Sequence, residues 1–168
     1  RAIEALDTSV APAEAVRLLD ALNHLGILWA NRGESEKSLE RLAAAEALHK
    51  SLRSGSGATE LREGGEQLED LHTLTCFYLA QAHGNLGARD RSAAYCHTTM
   101  MRQLARRGGT AKGEHTFQAS EWAKNAQQIA AYYASGARFD WAEHCLRAAS
   151  AVLAADRRRT AALGVPPP

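Results

Sequence analysis

Three glycines occupy equivalent points along the chain. Gly33, Gly87 and Gly136 each stand between two segments whose apolar residues recur every three or four positions. That spacing lines one face of a helix with apolar side chains. A glycine between two such segments ends the first and lets the chain reverse into the second. A chain built this way is restricted to helical hairpins. Counting from the glycine gives a register. Four residues before it stand Trp29, His83 and Tyr132, and eight before it Leu25, Leu79 and Gln128. Six after it stand Leu39, Ala93 and Ala142, and nine after it Leu42, Cys96 and Cys145. Large residues before the turn fill the angle between two helices, and smaller ones after it let the second helix approach. The register therefore predicts that Trp29, Tyr132, Cys96 and Cys145 are mostly buried.

The segments read as six helices. Pro12 and Glu14 suit a first turn, followed by Leu18, Leu22, Leu25 and Trp29. The second helix carries Leu39, Leu42, Ala45, Leu48 and Leu52, and the third, from near Gln67, carries Leu71, Thr75, Leu79, Ala82 and Leu86. The fourth has Ala93, Cys96, Met100 and Leu104. The fifth, from near Thr116, has Trp122, Ala126, Ile129 and Tyr133. The sixth has Ala142, Cys145, Ala149 and Val152, and ends through Arg157-Arg158-Arg159. Ser54-Gly55-Ser56-Gly57, Gly64-Gly65 and Gly108-Gly109 read as polar connections. Pro166-Pro167-Pro168 cannot continue a helix, and no stretch alternates as a strand does. The expected organisation is helical repeats over 1–157, in pairs at about 13–53, 67–107 and 116–157, with a disordered tail over 158–168. The first residue is Arg1 rather than Met, and 1–6 reads as the tail of a helix, so the chain is expected to be a fragment.

Leu25-Gly26 followed by Trp29, with a small residue opening the next helix, resembles the tetratricopeptide pattern; Leu79-Ala80 followed by His83 is a degraded copy. The turn glycines are 54 and 49 residues apart, against about 34 in an ordinary repeat, so helices or connections are longer here. One hairpin cannot bury its own apolar face, and stacking is the remedy. The fold class expected is all-α: a tetratricopeptide-like right-handed superhelix of antiparallel helix pairs. The alternative is a closed helical bundle without a groove.

Composition narrows function. Lys and Arg total 20 against 19 Asp and Glu, which removes a global electrostatic case for nucleic acid. No apolar run approaches the roughly 20 residues that span a bilayer, so no membrane insertion is expected. Three cysteines without close pairs argue against a disulfide framework and for a reducing compartment. His97 follows Cys96 and His144 precedes Cys145, but neighbouring helix residues point apart, so the cysteines read as core fillers and no metal is expected. No local motif joins a nucleophile to a base, and neither glycine-rich run follows a strand or carries the phosphate-loop order. An enzyme, a cofactor and a small-molecule substrate are therefore not expected. Arg102, Arg106, Arg107 and Arg157–Arg159 lie near helix C-termini, where cations complement the helix dipole; an acidic partner surface is the other use for them.

Several segments are more distinctive than a repeat requires. They are Leu22-Asn23-His24-Leu25-Gly26-Ile27-Leu28-Trp29, Phe77-Tyr78-Leu79-Ala80-Gln81, Ala94-Tyr95-Cys96-His97-Thr98-Thr99 with Arg102-Gln103-Leu104, Glu121-Trp122-Ala123-Lys124-Asn125-Ala126, and Ala142-Glu143-His144-Cys145-Leu146. In this order they resemble the kinesin-binding (KIF-binding) protein family over roughly 14–153. The glycine-rich connections and the Ala/Arg-rich end depart from it. The resemblance implies a cytoplasmic, cytoskeleton-associated protein that grips certain kinesin motor domains and keeps them off microtubules. It also implies a role in microtubule organisation, neurogenesis, differentiation and axon growth. A solenoid groove can take a partner helix side-on. The groove residues expected to touch the partner are Asn23, Asn31, Gln81, Asn85 and Tyr133. A generic tetratricopeptide adaptor or co-chaperone is the alternative. A co-chaperone groove for an acidic peptide end would want a Lys/Arg clamp where these amides stand.

Overall fold

In the computed structural model, which describes residues 12–54, 65–106 and 117–162, every periodic segment is a helix. The order is α1 (Pro12–Asn31), α2 (Ser35–Ser54), α3 (Gly65–Asn85), α4 (Arg89–Arg106), α5 (Ala119–Ser135) and α6 (Phe139–Ala162). No strand occurs among the described residues. Each helix carries a carboxylate in its first turn: Glu14, Glu36, Glu66, Asp90, Glu121 and Asp140. A negative charge there favours the positive end of the helix dipole by about 0.3–1 kcal/mol. Ser56-Gly57, Gly64, Arg107, Gly108-Gly109 and the prolines at 166–168 lie outside the described residues. Residues 158–162, expected in a disordered tail, belong to α6. There Asp156 accepts from Arg159 at 3.0 Å, and Thr160 donates to the carbonyls of Asp156 and Arg157.

Each hairpin turns the same way. In the first, Gly33 takes φ 78°, its N–H donates to the Ala30 carbonyl at 2.9 Å, and Glu34 N–H donates to the Trp29 carbonyl at 3.0 Å. In the second, Gly87 takes φ 74°, with matching bonds from Gly87 to Gly84 and from Ala88 to His83. This paired closure satisfies the last carbonyls of the first helix through one left-handed residue. In the third turn the left-handed residue is Ala137 (φ 57°), while Gly136 stays at φ −94°. The closing bonds run from Ala137 to Ala134 and from Arg138 to Tyr133. The sequence register is therefore one residue early in the third hairpin. Trp29, His83 and Tyr133 are the equivalent aromatic positions, and Tyr133, not Tyr132, is buried.

With that correction the tetratricopeptide pattern is regular. Leu25, Leu79 and Ile129 precede the small residues Gly26, Ala80 and Ala130, and Ser38, Ser92 and Ala142 open the facing helices. These small positions are where the paired helices approach. A Cβ on Gly26 would lie 2.6 Å from Leu42 Cγ. In the second hairpin Ser92 Oγ donates to the Ala80 carbonyl at 2.8 Å.

The chain forms two compact units divided between Thr99 and Met100, within α4. In the first, α1 packs on α2 and α3, and α2 packs on α3. Val16, Leu19 and Leu68 form a core closed by Leu48, Leu52 and Leu71. In the second, Met100, Trp122, Ala126, Ala149 and Val152 form the core. The Trp122 indole N–H donates to the Met100 carbonyl at 3.0 Å. Of the four residues expected to be buried, Cys145 is. Trp29, Tyr132 and Cys96 are only half-buried. Trp29 keeps a ring face for Lys37, whose Nζ lies 4.6 Å from the centroid, and for Arg32 at 5.6 Å. Among the described residues no helix is long and apolar enough to cross a membrane.

Candidate partner-binding surface

The five residues expected to touch a partner separate into two groups. Asn23 has no solvent exposure: its side-chain amide donates to the Leu71 carbonyl at 2.9 Å and accepts from Thr75 Oγ1 at 2.8 Å. An amide on a helix surface reads as solvated from sequence. Here it is the polar link between α1 and α3, with both functions satisfied inside the core. Tyr133 is 5% exposed and packs at 6.0 Å between ring centroids on Trp141. Both are removed from any contact surface by their burial.

Asn31, Gln81 and Asn85 are exposed. Asn31 and Asn85 hold one register position, two residues before the left-handed glycine, at the C-terminal ends of α1 and α3. Asn85 Nδ2 donates to Ser35 Oγ at 3.2 Å, which places the end of α3 against the start of α2. Leu18, Leu25 and Leu28 are the exposed large apolar side chains of α1, and Leu86 is exposed at the second turn. The surface therefore offers apolar groups as well as the amides that sequence reading emphasised. In the second unit, Phe139, Leu146 and Ala134 line an open cavity of about 540 Å³ on α6, flanked by the Arg147–Glu143 ion pair.

The interior between α2, α3 and α4 is polar in a way the periodicity hides. His83 stacks on Tyr95 with centroids 5.6 Å apart and planes 8° apart, and the Tyr95 hydroxyl donates to Glu46 Oε2 at 2.8 Å. Burial raises the phenol of Tyr95 well above its ordinary range, reinforced by that bond. Burial lowers His83, helped by Arg91 and opposed by Glu46. Burial also raises the thiols of Cys96 and Cys145, which keeps them protonated and suits a packing role. One cluster that sequence reading missed is His49, Glu69 and His72, whose ligand-capable atoms lie within 4.8 Å of one another. No local spacing announces it, because His49 lies on α2 and the other two lie on α3, beyond the connector.

Comparison with known proteins agrees with the resemblance read from the residues. The chain is similar to the KIF-binding protein of Danio rerio, with 35% identity over 163 residues. It is similar to that of Drosophila melanogaster at 30% over 158, and to that of Homo sapiens at 31% over 150. These alignments take in 88%, 85% and 80% of this chain. The chain spans about a quarter of the length of each relative: 25%, 25% and 23%. No family model matches it, and no solved structure does.

Proposed function

We propose that this chain is part of a kinesin-motor-binding regulator, as the name of the KIF-binding proteins it resembles over a quarter of their length suggests. The observation that carries the proposal is identity of 30–35% with KIF-binding proteins of fish, fly and mammal across four-fifths or more of the chain. The helical hairpins support it, because stacked hairpins present helix ends and turns as a continuous surface to a partner helix. The proposed contact is made by Asn31, Gln81 and Asn85 with the apolar rim of Leu28 and Leu86. In this reading the protein occupies the motor so that it cannot engage its track. It acts in the cytoplasm on the cytoskeleton, and its cellular consequence is microtubule organisation in growing axons.

Binding is tested by pull-down of kinesin motor domains with the full-length protein and with Asn31→Arg/Asn85→Arg. A single polar contact contributes only about 0.5–1.5 kcal/mol, so alanine is too mild and a bulky charge is the informative change. Retained helicity with motor capture reduced tenfold or more is expected. Unchanged capture would place the docking surface elsewhere.

A further inference from the structure

Three side chains with metal-ligating atoms, His49, Glu69 and His72, converge between α2 and α3 to within 4.8 Å of one another, and a fourth, Cys76, lies against His72. Glu69, His72 and Cys76 are spaced by three and four residues on α3, and so share one face of the helix. His49 reaches them from α2. His49 Nε2 is 3.4 Å from Glu69 Oε1, and Cys76 Sγ is 3.6 Å from His72 Nε2. The two imidazoles stack with centroids 3.7 Å apart and planes 14° apart. His49 and Cys76 are 3% and 1% exposed, while a third of the Glu69 side chain faces solvent and gives an ion its way in.

The separations are informative. Four donors held tetrahedrally at the usual zinc–nitrogen, zinc–oxygen and zinc–sulfur lengths lie about 3.3–3.6 Å from one another. The His49–Glu69 and His72–Cys76 pairs fall at that spacing, while His49, Glu69 and His72 as a set lie within 4.8 Å and draw together, with Cys76 turning in, as the ion enters. The donor set is also the right kind: imidazole and thiolate select zinc-class ions over magnesium or calcium. Charge closes as well, because one thiolate and one carboxylate neutralise a divalent cation. The thiol proton is lost to solvent on binding, so affinity rises with pH. Two further changes accompany entry of the ion. The imidazoles splay from their stack so that both nitrogens point at one centre. The ion takes over the Glu69 oxygen that Arg53 holds at 2.8 Å.

We propose that His49, Glu69 and His72, with Cys76 as fourth donor, form a site for a divalent transition-metal ion of the zinc class that ties α2 to α3. The inference is independent of motor binding. Its test is titration of the chelator-treated 168-residue chain with Co²⁺, followed by displacement with Zn²⁺. The expected result is one ion per chain, intense four-coordinate visible bands and a thiolate-to-cobalt charge-transfer band in the near ultraviolet. Zn²⁺, but not Mg²⁺, raises the melting temperature. Cys76→Ser removes the charge-transfer band but not all binding, and Glu69→Gln, on the solvent side of the site, weakens binding tenfold or more. A wild-type spectrum that stays weak and six-coordinate overturns the proposal, whether or not any variant folds. So does an unchanged band set in the Glu69→Gln/His72→Gln double variant.

Discussion

Ala137 holds the backbone conformation that Gly33 and Gly87 hold in the other two hairpins, with φ 57° against 78° and 74°. A side chain in the left-handed region meets its own carbonyl, at a cost of about 1–2 kcal/mol. Ala137→Gly is predicted to raise stability by about 1 kcal/mol, after allowing for the greater freedom of unfolded glycine. Gly33→Ala, with open space around its Cβ, should lower it by about the same amount. Gly26→Ala fails for another reason: its methyl would meet Leu42 at 2.6 Å inside the core, so overpacking should cost about 1–3 kcal/mol. Urea midpoints rank the three. His83 adds a pH dependence. Its pKa is depressed in the folded chain, mainly by burial, so below its ordinary value near 6.5 the unfolded chain binds the extra proton first. The contribution is complete above pH 6.5 and is lost as pH falls toward the folded value. The urea midpoint should therefore drop on acidification, and drop less in His83→Gln.

At the scale of helices, the α1–α3 contact rests on Asn23, whose amide pairs with the Leu71 carbonyl and with Thr75. Asn23→Ala leaves the buried Leu71 carbonyl and Thr75 hydroxyl with one partner fewer, and is expected to cost about 1–3 kcal/mol. Asn85→Ala, at an exposed position, should stay within about 0.5 kcal/mol. Guanidinium unfolding of both variants separates a core amide from a surface one. The contrast also marks what sequence could reveal. Helix positions followed from apolar spacing, since burial of one face is a local, periodic requirement. The turns followed from glycine at Gly33 and Gly87, where the left-handed residue is a glycine. The third turn was misread by one residue because Ala137 bears that conformation beside a glycine that does not, and Tyr133 was misplaced with it. Asn23 looked like a surface amide because its partners lie 48 and 52 residues away. The His49–Glu69–His72 cluster was hidden in the same way, by a contact across a connector.

At the scale of the whole molecule, helical hairpins with tetratricopeptide spacing and similarity to KIF-binding proteins are what support the proposed role in motor binding. Asn31 and Asn85 share a register position at the ends of α1 and α3, as a surface repeated from hairpin to hairpin requires. Asn23 instead ties α1 to α3, and Tyr133 packs within its own hairpin on Trp141. Motor inhibition is the central claim, and microtubule co-sedimentation tests it most directly. A kinesin motor domain is held with microtubules at constant concentration while the full-length protein is increased. The account predicts that the fraction of motor in the pellet falls to the level without microtubules, and that Asn31→Arg/Asn85→Arg restores pelleting while the circular dichroism stays helical. Pelleting that is undiminished at saturating protein, with every kinesin motor domain tried, would contradict it.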